Sequence, residues 1–198
     1  MAKIVDREAM QNSLLNAATE VYIEKGYHSA TIADVAEGAG VAKGTLYLYF
    51  KNKESIAVAI VDRHFERLQA NLMTQSNPET LEEMMDRLRN STTIPDDATR
   101  LIRLFYEMFG PSLDGDPVVT KLGEFFEQLG LNYEAQIGYL QSKKLVHSDI
   151  DPAHFGRALA SVVDGLILHR GLFSLPKQRF AKIREQALNM VHRGLVPA

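Results

Sequence analysis

Between Thr31 and Phe50 the chain reads TIADVAEGAGVAKGTLYLYF, two short helical patterns joined by Ala39-Gly40-Val41. No other stretch restricts the fold so tightly. Ile32, Val35 and Ala36 make one apolar stripe, and Val41 and Leu46 are placed to pack back against it. Gly40 supplies the positive φ that a tight turn between crossed helices requires. Small Ala36 and Ala39 let the two helices approach closely. Thr31, with Asp34 three residues on, resembles a capping box in which Asp replaces the usual Glu or Gln. The pattern matches a helix-turn-helix, whose second helix, here from about Ala42 to Phe50, lies in the major groove of DNA.

Charge agrees with this locally, not globally. The formal net charge is −3, so bulk composition gives no sign of a nucleic-acid partner. From Gly38 to Lys53, however, there is no Asp or Glu, while Lys43, Lys51 and Lys53 are present among interleaved tyrosines. An acid-free stretch of that kind is a small electrostatic footprint for phosphate.

The rest of the chain is helical in pattern. Leu14, Leu15, Ala18, Val21 and Tyr22 recur at helical spacing before Gly26. A longer helix begins near Glu54 and carries Ile56, Ile60, Val61, Phe65, Leu68 and Leu72. Asn77-Pro78 reads as an N-cap followed by proline at the first helical position, and Pro95-Asp96 opens another helix. The stretch from Gly110 to Pro117 is the clearest loop. A long helix follows through Leu122, Phe125, Phe126, Leu129, Tyr133, Ile137 and Leu140; Asp151-Pro152 starts one more, and Pro176 precedes the last. The expectation is an all-α chain of about nine helices, with no hairpin signal.

Other features exclude whole classes. There is no cysteine, which removes disulfides, thiolate metal sites and thiol redox chemistry and suits a reducing cytosol. The first ten residues lack an apolar run suited to a signal peptide, and the most apolar segment, Ala158 to Leu168, is too short for a membrane span and is interrupted by Asp164. The expected location is cytoplasmic. His147, Asp149 and Asp151 lie close together but follow no zinc spacing, and no nucleophile motif is present, so neither an enzyme, a metal nor a cofactor is expected.

The run TIADVAEGAGVAKGTLYLYFKNKES resembles the N-terminal signature of the tetracycline-repressor (TetR) family: the Thr cap, the turn glycine, Lys-Gly-Thr, Tyr-x-Tyr-Phe and the closing Lys fit together. The resemblance implies a DNA-binding domain at 1–53 and a helical ligand-binding and dimerisation domain at 54–198. It implies that Thr31 caps the second helix with its backbone N–H groups at a phosphate. Lys43 and Gly44 then start the recognition helix, Thr45 reaches base edges, and Tyr47, Tyr49 and Lys53 contact phosphates. Phe50 belongs to the core. Ala42 stands where the family often has Ser, and Leu48 replaces a frequently polar residue. Leu48 either touches a thymine methyl or faces the first helix.

By the same resemblance, the double-stranded operator is palindromic and is read by a homodimer, since half-sites pair across a two-fold axis. Phe155, Leu159, Val162 and Leu166 on one helix, with Phe180, Ile183, Ala187 and Val191 on the next, would form a four-helix bundle with the partner's copies. The alternative is that both stripes are buried within one subunit. A small-molecule effector, largely apolar or amphipathic, would occupy a cavity lined by Phe105, Met108, Phe109, Phe126 and Tyr133. Asp164 and His169 are its candidate polar anchors, or else satisfied structural groups. The function implied is a ligand-released repressor; the alternative is a DNA-bound adaptor whose C-terminal domain binds a protein partner.

Overall fold

A computed structural model describes residues 2–73, 75–96, 98–109, 114–173 and 175–197, with side chains from Arg7 onward except at position 73. Residues 110–113 of the predicted loop lie outside the described residues. Nine helices are present among those described, and no strand. They are α1 (Ala2–Lys25), α2 (Ile32–Gly38), α3 (Lys43–Tyr47), α4 (Lys53–Met73), α5 (Leu81–Ser91), α6 (Ala98–Glu107), α7 (Pro117–Ser142), α8 (Pro152–Leu172) and α9 (Lys177–Leu195). No helix among the described residues is long and apolar enough to cross a membrane.

The chain forms two compact units, Met1–Glu66 with Arg103–Leu122, and Arg67–Ile102 with Gly123–Ala198. Helices α4, α6 and α7 each contribute residues to both.

In the first unit, Leu14, Leu15, Ala18 and Tyr22 of α1 are buried, as are Val35, Ala36, Leu46 and Phe50. The capping box at Thr31 is complete: the Asp34 N–H donates to Thr31 Oγ1 at 3.2 Å, and the Thr31 N–H donates to Asp34 Oδ2 at 2.7 Å. Lys25 Nζ holds the other Asp34 oxygen at 2.6 Å, tying the end of α1 to the start of α2. The Lys25 ammonium, followed by the bonds from Thr31, holds the Asp34 carboxyl well below its ordinary range.

The turn after α2 is a Schellman motif. The Val41 N–H donates to the Ala36 carbonyl and the Gly40 N–H to the Glu37 carbonyl, both at 3.0 Å, with Gly40 at φ +65°. The third helix is shorter than periodicity suggests. It ends at Tyr47 because the Leu48 and Tyr49 N–H groups bond three residues back, a tightened last turn. Asn52 and Ser55 then cap α4 reciprocally, Ser55 N–H to Asn52 Oδ1 at 2.8 Å and Asn52 N–H to Ser55 Oγ at 3.1 Å.

The second unit has its own core, in which Met84, Leu88, Leu129, Ile137, Leu140, Leu159, Val163 and Leu188 are buried together. Asp151 caps α8 as read from sequence, accepting from the Ala153 and His154 N–H groups with Pro152 next to it. The cap of α5 is Thr80, not Asn77: its hydroxyl accepts the Glu83 N–H at 3.1 Å, while Pro78 is buried ahead of the helix. Helices α7 and α8 meet backbone to backbone at Gly156, where a Cβ would come within 2.6 Å of the Glu134 nitrogen.

Candidate nucleic-acid interface

The outer side of α3 is built from what the core does not use. Leu46 is 1% exposed and Phe50 is buried, so these two residues anchor the helix inward. That rotation leaves Lys43 and Gly44 exposed, with Tyr47 at 50% and Leu48 at 73%. Leu48 is therefore not buried against α1. Tyr47 at the end of α3 and Leu48 just after it are thus both held in water.

Other positions sharpen this picture. Lys43 Nζ lies 5.9 Å from the Tyr47 ring centroid, so cation and phenol share one side. Nothing lies within 4 Å of where a Gly44 Cβ would stand. No neighbour within the described chain demands glycine there, although glycine weakens a helix by about 1 kcal/mol relative to alanine. Ala42 gives α3 no side-chain cap, as its missing hydroxyl predicts. Thr45 is half-buried.

Three residues expected at phosphate also make contacts within the unit. The Thr31 N–H is held by Asp34 within the capping box. Lys53 is turned onto its own unit: Nζ donates to the His28 carbonyl at 3.1 Å and sits 4.5 Å from the Tyr27 ring centroid. Desolvation there lowers its pKa, although Glu54 opposes the shift. Tyr49 is half-buried, and its ring lies 5.9 Å from the Arg7 guanidinium carbon. Arg7 is absent from the sequence picture; its only signal was a basic residue ahead of the first apolar stripe. Glu107, equally unforeseen, accepts the Tyr27 N–H at 2.9 Å just after α1.

The candidate effector residues are divided between the two units. In the first unit Phe105 and Met108 are buried, Phe105 lying 5.0 Å from the His64 ring, and Phe109 packs edge-on to Tyr106 at 5.1 Å. In the second unit Tyr133 is buried and Phe126 stands against Phe125 at 5.6 Å. Asp164 has a buried Oδ1 with no hydrogen-bond partner among the described residues. Its carboxyl is pushed up to about 7, chiefly by burial, with Arg157 opposing. His169 is exposed and edges onto Phe173 at 5.0 Å, so it is not a buried anchor.

The proposed pairing stripe needs the same correction. Leu159 is 1% exposed, and Leu166, Phe180 and Val191 are likewise buried within the single chain, so a partner cannot reach them. Phe155 and Val162 are partly buried against the same core. Only Ile183 of that set is exposed, with Ala187 half-buried. The outward stripe of α9 runs through Ile183, Ala187 and Met190, the last 74% exposed, at helical spacing. His147 Nδ1 stands 3.8 Å from Asp149, whereas Asp151 is occupied by its cap. Among the described residues no group of three His, Asp or Glu side chains could hold a metal ion.

Residues 14–60 match the model of the family described as "Bacterial regulatory proteins, tetR family". A fatty acid metabolism regulator protein of Bacillus subtilis (strain 168) is 41% identical over 63 residues, which are 30% of this chain and 32% of that one. The match thus spans about a third of that relative's length. Two solved structures share the fold. A SmeT–triclosan complex has a TM-score of 0.76 and 21% identity, covering 95% of this chain and 92% of that one. The transcriptional regulator FadR from Bacillus subtilis in complex with stearoyl-CoA has a TM-score of 0.68 and 20% identity, covering 92% and 97%.

Proposed function

Through its N-terminal domain this chain belongs to the TetR family of bacterial regulatory proteins, and on that premise we propose that it is a cytoplasmic, ligand-responsive transcriptional repressor. It binds a palindromic operator as a homodimer and is released by a small molecule with a large apolar part. Residues 1–53 hold DNA; 54–198 bind the effector and pair the subunits. The observation that carries this reading is the outward face of α3, where Lys43, Gly44, Tyr47 and Leu48 are left to solvent while Leu46 and Phe50 are buried.

In the complex, Lys43 and Tyr47 contact phosphate or a base edge, and Leu48 meets a thymine methyl. Bare Gly44 allows the DNA backbone to approach the start of α3, and Thr45 reaches the bases. Tyr49 and Arg7 hold phosphate at the far end of the helix. Lys53 and Thr31 act mainly by fixing the unit's shape, because their polar groups are already engaged. With few hydrogen-bonding side chains on α3, phosphate contacts and DNA shape carry much of the affinity.

Pairing uses the outward stripe of α9 with the exposed side of α8. This surface contains Val162, Ile183, Ala187 and Met190 and leaves the buried leucines to the subunit's own core. Effector binding is coupled to DNA through α4, whose residues belong to both units. A coupling of about 1–3 kcal/mol changes operator affinity about 5- to 150-fold. Titration of purified protein against duplexes from the flank of its own gene tests the reading. Binding by pairs of chains is expected, and failure to hold any duplex at low ionic strength would refute it.

A further inference from the structure

Asp164 lies on α8 between two close contacts. One heptad before it, Arg157 packs where a Gly130 Cβ would stand 3.3 Å from its Cδ, and its guanidinium bonds Glu127 of α7 at 2.9 Å. One heptad after it, Gly171 abuts Ile102 of α6, whose Cγ2 would be 2.2 Å from an added Cβ. Positions seven apart drift only about 20° around a helix. Asp164 therefore faces the same side as these two, bracketed by α7 at one end and α6 at the other.

On that side one oxygen of the acid lacks a hydrogen-bond partner. Oδ1 is buried and accepts no hydrogen bond among the described residues. Arg157, the cation that bears on it, is already paired with Glu127. The nearby Tyr133 hydroxyl feels the Asp164 charge but is bonded to Ser91. Ala160 and Val163, its neighbours along α8, belong to the buried apolar core. A carboxylate oxygen buried without a hydrogen bond is costly, and Arg157 offsets its desolvation only in part. Native proteins leave few such groups, and each calls for a reason.

We infer that Asp164 is the polar anchor of the effector site, and that the effector carries a positive charge or a strong N–H donor on an apolar body. This rests on the ligand-released reading above and narrows it. An anionic head group at Asp164 would be repelled, whereas a cation would give Oδ1 the partner it lacks, and charge-assisted bonds are the strong ones.

The test uses two probes of one shape and opposite charge, tetraphenylphosphonium and tetraphenylborate. Binding to the full-length protein is measured by equilibrium dialysis. The wild type is expected to favour the cation by about tenfold or more. Asp164→Asn, isosteric and uncharged, should lose most of that preference while melting cooperatively. Equal binding of the two probes, binding of neither, or a cation preference unchanged in Asp164→Asn overturns the assignment. An operator gel-shift with the same probes separates the two claims. Cation binding that depends on Asp164 yet leaves the operator bound refutes ligand release and keeps the anchor. Operator release by tetraphenylborate, equal in wild type and Asp164→Asn, keeps ligand release and refutes the anchor.

Discussion

Helices α3 and α8 mark their functional residues in opposite ways. On α3 the core takes only Leu46, and large apolar and aromatic side chains are left in water at Tyr47 and Leu48. On α8 the core takes Leu159, Ala160, Val163 and Leu166, and one half-buried acid, Asp164, keeps a buried Oδ1 that accepts no hydrogen bond among the described residues. The surface site is recognised by what packing does not use. The interior site is recognised by what packing fails to satisfy. On the proposed reading, each leaves a group whose best partner lies outside the subunit.

The contrast can be broken first at its structural half. Leu159→Ala should lower unfolding free energy by about 2–5 kcal/mol, whereas exposed Leu48→Ala should stay within about 0.5 kcal/mol, both read by urea denaturation. If Leu48→Ala proved as destabilising, α3 would be packed where it is described as open. Next, the double variant Lys43→Ala, Tyr47→Phe should weaken operator binding by about 1–3 kcal/mol and flatten its salt dependence by about one phosphate contact, read by anisotropy. Its melting temperature should hold.

Asp164→Asn sharpens the interior half. The folded carboxyl titrates at about 7 against an ordinary 3.8, so the folded state binds the proton more tightly than the unfolded one. Stability contributed by that proton is present at acid pH and falls as pH rises from about 4 to about 7. Asp164→Asn should remove this slope and exceed the wild type in stability above neutrality, measured by urea denaturation at several pH values. The smallest expected effect is Arg7→Ala, a loss of operator affinity of about threefold with unchanged stability, because one exposed cation is worth little.

Much of the fold is legible because its punctuation is local. Gly40 adopts its turn, Thr31 its box and Asp151 its cap through neighbours a few residues away, so the chain order alone carries them. The α5 start misled because Asn77-Pro78 and Thr80 are both valid caps, and burial of Pro78 favours the second. Helix α8 is apolar over more than one face, so spacing names a stripe without naming its neighbour. Spacing thus leaves open whether Leu159 and Leu166 face a partner or the subunit's own core, and the subunit itself covers them. The approach of Arg7 to Tyr49 and the isolation of Asp164 depend on tertiary contacts, which no local pattern encodes.

The most direct test of the DNA-binding claim is an anisotropy titration of the wild-type protein on its own upstream duplex from about 50 to about 200 mM salt. The account predicts two chains per palindrome and an affinity that falls steeply as salt rises. An affinity independent of salt, or no retention of duplex at the lowest salt, would contradict it.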